Sequence, residues 1–178
     1  MKKIIFSFAT LFALAAVFAF SAGQVWQIKE GYSIQFSSKD ANGIFKDFSG
    51  TITFDETNLA ASKFNLTVEV ASINTGNGLQ NKHAKGADWF DAEKYPNIKF
   101  TSSKMEKSGD GFKATGTLEM HGVKKEIGIP FKFKKSGAKA GTFTTNFSVN
   151  RSDYGIGKGN KDVAETIKID VKVPVVKK

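Results

Sequence analysis

The sequence contains no cysteine. Disulfide staples, thiolate nucleophiles and cysteine-based zinc sites are therefore excluded, as is a lipoprotein anchor, which needs a cysteine after the leader. Arginine is almost absent: of 26 basic residues, only Arg151 is one. Phosphate and base-edge recognition favours the planar guanidinium fork, so a net charge of +9 carried by scattered lysines reads as a solvated surface and not as a nucleic-acid interface. Weak attraction to anionic membrane surfaces stays open. The two histidines, His83 and His121, are far apart, and neither is spaced with Asp88 or Asp91 as a metal ligand set would be. No Gly-x-Ser-x-Gly elbow and no glycine-rich phosphate loop after a strand is present. Nothing here points to an enzyme, a metal or a cofactor.

Long apolar runs are also missing, with one exception at the start. Met1-Lys2-Lys3 is followed by the apolar stretch Ile4 to Phe20 and then by the small residues Ser21, Ala22 and Gly23. A positive segment, an apolar core and a small-residue cleavage site form a secretory signal peptide. The run is slightly short for a membrane span. Residues 1–23 are thus expected to be a removed leader, and residues 24–178 one exported domain, periplasmic or secreted, long enough to bury a core without staples.

What the domain does have is alternation. Successive strand side chains face opposite ways, so a two-residue period marks half-buried strands. Eight such runs follow one another. Trp26, Ile28, Ile34 and Phe36 share one parity; Ile44, Phe48, Gly50, Ile52 and Phe54 share the next. The third holds Phe64 to Val70, the fourth Ile98 and Phe100, the fifth Phe112 to Met120. Ile127 to Phe133, Phe143 to Val149 and Ile167 to Val175 complete the set. Short turns such as Ser108-Gly109-Asp110-Gly111 and His121-Gly122 force antiparallel neighbours. Pro130 lacks a ladder donor and conflicts with its run, marking a bulge or strand end. Gly76 to Asn97 breaks the pattern; Leu79 to Lys85 within it reads as about two helical turns. Eight antiparallel strands with one apolar face can hide it by closing into a barrel, whose interior is either filled or holds one small ligand.

Four stretches carry a family likeness: GIFKDFSGTITFD from Gly43, HAKGADWFDAEKYPNIKF from His83, GTLEMHGV from Gly116 and NRSDYGI from Asn150. Together they resemble the YceI-like, or polyisoprenoid-binding, family over essentially the whole exported domain. The resemblance implies an all-β, eight-stranded, antiparallel, lipocalin-like barrel with a long, partly helical loop. It further implies an elongated pocket for a long isoprenoid or fatty-acyl chain, no enzymatic activity, and dimers among the members. His83, Asp88, Phe90, Asp91, Tyr95, Pro96, His121, Gly122, Arg151, Asp153 and Gly155 match the family pattern. Gln80, Asn81, Ala84, Lys29 and Tyr32 depart from it.

The candidate ligand-binding residues are Phe36, Phe64, Phe100, Phe112, Leu118, Phe131, Phe143 and Phe147 on the inward faces. Gly116 joins them, since Gly50, Ala114, Gly116 and Thr145 are small and leave volume near the axis. The plain alternative is that the rings fill a solid core, because interiors pack densely. A phenylalanine at position 116 is expected to block the tunnel and leave the barrel folded. Trp89 and Phe90 either cover the apolar mouth or anchor their own loop. His83 either donates to a ligand headgroup or holds loop backbone. Arg151 reads better as an ion pair with Asp153, or with a loop carboxylate such as Asp88, than as a headgroup cation. The expected function is a carrier or sequestering protein for an isoprenoid or other long-chain lipid; the alternative is a filled barrel serving as a structural or interaction module, and a homodimer stays open. A hydrolase using His83 with Asp88 or Asp91 is the weakest reading.

Overall fold

A computed structural model describes residues 23–178; the expected leader lies outside them except for Gly23. Eleven strands and one helix follow in the order β1 (Val25–Ile28), β2 (Ser33–Ser37), β3 (Asn42–Phe45), β4 (Phe48–Thr53), β5 (Lys63–Glu69), β6 (Ile73–Asn74), α1 (Gly78–Lys85), β7 (Asn97–Ser108), β8 (Gly111–Met120), β9 (Val123–Lys135), β10 (Ala140–Asn150) and β11 (Thr166–Lys177). They form one antiparallel sheet that closes where β1 pairs with both β4 and β11. The result is an eight-stranded barrel with extra short strands and a helical loop. The first two alternating runs each supply a broken strand, β1 continuing as β2 and β3 as β4; past the end of the third run, β5 continues after a 3₁₀ turn as β6.

The breaks have local causes. Gly31 sits at φ +86 between β1 and β2, a region open to glycine without steric cost. At Lys46-Asp47 the chain slips by one residue. Phe45 is consequently buried inside and Ile44 is not, so the parity expected for the second run holds in β4 but not in β3. A bulge between Ser102 and Lys104 does the same in β7 and turns Met105 inward. Ser102 is buried there, and its hydroxyl accepts the Phe64 N–H at 2.8 Å. His121 and Gly122 both have positive φ, the conformation that suits a tight two-residue hairpin between β8 and β9.

Candidate functional site

Inside the barrel the two expectations, solid core and hollow, divide along the axis. One end is filled. Phe54 is 1% exposed, and its ring lies 5.0–5.5 Å from those of Phe112, Phe131, Phe133 and Phe143, all edge-on. Edge-to-face rings at these distances form a rigid floor. Trp26 closes it from below, edge-on to Phe133 at 4.9 Å and donating its indole N–H to the Phe54 carbonyl at 2.8 Å.

Above the floor lies a cavity of about 460 Å³, within the usual range for small-ligand pockets. Phe64, Phe100, Phe131 and Phe143 form its base. Phe36, Leu118 and Phe147 stand on its walls. His83, Trp89, Phe90 and Arg151 meet it from the upper loops. Two candidates are not on the wall. Phe112 belongs to the floor, stacked on Phe131 at 5.4 Å. Gly116 faces its neighbour strand: a Cβ there would come within 2.3 Å of the Thr101 carbonyl oxygen. A phenylalanine at 116 would break the β7–β8 contact, so the expectation that such a variant folds normally is corrected. Gly50 behaves likewise, 2.2 Å from the Asn65 carbonyl oxygen, whereas Ala114 and Thr145 do line the cavity.

Aliphatic side chains join the aromatic candidates on the wall. Ile34, Leu66, Val68, Ile167, Ile169 and Val171 make up much of the wall, and the parity of their runs already pointed inward. Phe45 and Ile156 carried no such signal. Phe45 is hidden by the register slip, and Ile156 lies after a 3₁₀ turn (Arg151–Tyr154).

The upper end is roofed by α1 and two loops. Asn77 caps the helix by accepting the Leu79 and Gln80 N–H groups at 2.9 and 3.1 Å. Asn81 ties it to the barrel, its carbonyl accepting from the Thr75 N–H and hydroxyl at 2.8 and 2.9 Å. Gln80, His83 and Ala84 then face the cavity. The exposed ring of His83 has no hydrogen-bond partner among the described residues. Phe90 lines the cavity and also meets Phe45 edge-on at 6.0 Å, so it is both wall and anchor.

Arg151 is 4% exposed. Nε donates to Ala164 O at 3.1 Å, one terminal nitrogen to Ile156 O and Gly157 O at 2.8 and 2.6 Å, and the other to Asn160 O and Val163 O at 2.7 and 2.6 Å. All five N–H donors are thereby engaged. The expected ion pair is not formed: Asp153 pairs with Lys125 at 3.2 Å, and Asp88 contributes its backbone carbonyl, to the Gly157 N–H. His121 is a second organiser of this end. Its Nδ1 lies 3.1 Å from the Tyr154 carbonyl and its ring meets Tyr95 edge-on at 4.9 Å, joining the β8–β9 turn to both loops. Among the described residues no group of three or more His, Asp or Glu could hold a metal ion.

A closed antiparallel barrel with an apolar chamber under a helical roof defines the lipocalin-like class of small-ligand barrels. Residues 25–175 match the YceI-like domain, and the chain belongs to that family. A UPF0312 protein of Photorhabdus laumondii is 45% identical over 85 residues, covering 48% of this chain and 44% of that protein, so the chain matches less than half of that relative's length. The crystal structure of BcnA from Burkholderia cenocepacia superposes with a TM-score of 0.79 at 28% identity, over 83% of this chain and 99% of that one. A polyisoprenoid binding domain from Saccharophagus degradans shares the fold at a TM-score of 0.67 and 16% identity, over 89% of this chain and 100% of that one.

Proposed function

We propose that the chain is an exported carrier or sequestering barrel that holds the hydrocarbon tail of a long-chain amphiphile, isoprenoid or fatty-acyl, and carries out no covalent chemistry on it. The observation that carries this reading is the 460 Å³ chamber walled by aliphatic and aromatic side chains. The volume equals that of ~15 liquid waters, and a tail of similar methylene count would occupy it. Burying ~15 methylenes at about 0.8 kcal/mol each is on the order of 12 kcal/mol. After an association cost of about 4 kcal/mol or more, binding near the micromolar range remains. Family membership and the binding named for the Saccharophagus domain support the ligand class. The leader pattern of residues 1–23 supports export to the periplasm or beyond.

The test is a titration of the purified 24–178 domain with a fluorescent long-chain fatty acid. Saturable one-to-one uptake that is displaced by an isoprenoid alcohol is expected. Absence of uptake would leave the barrel a structural module, and turnover of long-chain esters lost in His83→Ala would make it a hydrolase.

A further inference from the structure

The barrel wall is incomplete at one seam, between β9 and β10. Their ladder runs from Gly141↔Lys135 to Thr144↔Lys132 and stops there. Beyond that point β9 stays paired with β8 as far as Val123, and β10 stays paired with β11 as far as Asn150. The two strands therefore continue side by side, each bonded only on its far side.

Pro130 is where the seam opens. Its carbonyl faces β10, because it accepts from the Thr145 hydroxyl at 2.5 Å. In an antiparallel strand a residue's N–H and C=O point to the same side, so the donor that proline lacks also belonged on the β10 side. In the register of the zipped part, Pro130 stands opposite Asn146, the next pair that would exchange two hydrogen bonds after Lys132↔Thr144. It cannot, and the ladder ends. Gly128 and Ser148, next along the two edges, are in register with Thr115 and Lys168 on their far sides; by the same alternation their N–H and C=O groups point to the seam, where no ladder pair joins them. Backbone donors and acceptors without a partner attract polar groups.

The slot leads into the chamber. Ile129 on one edge and Thr145, Phe147 and Val149 on the other line the cavity, as does the exposed Thr144. Ile129, Phe147 and Val149 are only partly buried. Apolar on the inside and polar at the rim, the slot fits an amphiphile crossing it.

We infer that the slot between β9 and β10 is a subsite for the ligand's polar end: the tail lies in the chamber and passes out sideways there, so the head rests against the Gly128 and Ser148 edges and not beneath α1. This rests on the proposed binding of a long chain in the chamber. It assigns the head to open backbone donors, hence to a head with acceptor oxygens, and lets that head be larger than the chamber.

The absence of native cysteine makes the test clean. Single variants Ser148→Cys, on the slot rim, and Leu79→Cys, on the outer side of α1 and 64% exposed, are each labelled with bimane. Each is titrated with a long-chain fatty acid bearing a nitroxide at its head. Quenching at 148 and not at 79 is expected. Quenching at 79 alone overturns the inference and leaves tail binding intact; no uptake by either protein, measured by displacement of a fluorescent chain, overturns both readings. Pro130→Val restores the missing donor and should lengthen the ladder, slowing uptake at least fivefold with equilibrium capacity unchanged. An unchanged rate in the folded variant counts against the slot.

Discussion

The guanidinium of Arg151 lies over the indole of Trp89, 5.3 Å from carbon to ring centre, and so joins the two loops that roof the chamber. A Cβ at Gly157 would sit 2.8 Å from that indole and 2.9 Å from an Arg151 nitrogen, which is why the loop passes there as glycine. The only arginine of the chain is a structural keystone whose charge is met by carbonyl dipoles.

Arg151→Ala should accordingly destabilise the barrel strongly. It leaves a set of carbonyls without donors and removes a buried cation from its network, an effect of about 3 kcal/mol or more. Arg151→Lys, with three donors on a flexible stem, should recover less than half of that. Urea unfolding measures both, and a change below about 1 kcal/mol in the alanine variant would contradict the keystone role. Headgroup preference should be unchanged wherever the variant is folded.

Phe54 sets the depth of the chamber. Phe54→Ala removes the ring around which four others pack, at about 3–5 kcal/mol, and extends the cavity toward Trp26. The preferred tail length should increase by several carbons in a chain-length series. A destabilised variant with the same optimum would mean that the floor rings collapse into the gap.

Ser102 joins fold to site through the β7 bulge. Ser102→Ala leaves the buried Phe64 N–H without its acceptor, an expected loss of about 1–3 kcal/mol. Amide hydrogen exchange at Phe64 should accelerate more than at strand positions of β10. Equal protection in the variant would show that another acceptor takes over.

How much of this was legible in the sequence depends on what kind of signal each feature leaves. Alternation gave the strands, because burial of one sheet face imposes a two-residue period. The slip at Lys46-Asp47 left no trace, since the broken strand looks the same in composition whether or not parity holds across the break. Floor and wall phenylalanines share the same inward parity, and only their height along the axis separates Phe112 from Phe147. Arg151 reads as structural from the sequence, but its partners do not show there, because all of them are backbone carbonyls, which any residue can supply. Pro130 was visible as a conflict, but the side facing its missing donor follows only from the register.

The acid limb of stability should carry the signature of Glu106. Its carboxylate lies 2.6 Å from both Lys104 and Lys113, and hydrogen bonds from these ammonium groups, Lys104 foremost, hold its pKa at about 2 against an ordinary 4.5. A lowered carboxylate pKa stabilises the fold above the unfolded value, and the contribution is lost as pH falls from about 4.5 through about 2. Glu106→Gln should flatten that part of the pH profile. Because the group is solvent-exposed, the difference should shrink in molar salt; an unaltered acid limb at low salt would contradict it.

The most direct test of the account is what the chamber holds. The 24–178 domain is purified without detergent, extracted with organic solvent and examined by mass spectrometry beside the intact protein under native conditions. A long-chain lipid near one molecule per barrel, lost when the chamber is narrowed by Val171→Phe, is the expected result. An empty extract, together with no uptake of any long-chain probe by the folded protein, would contradict it.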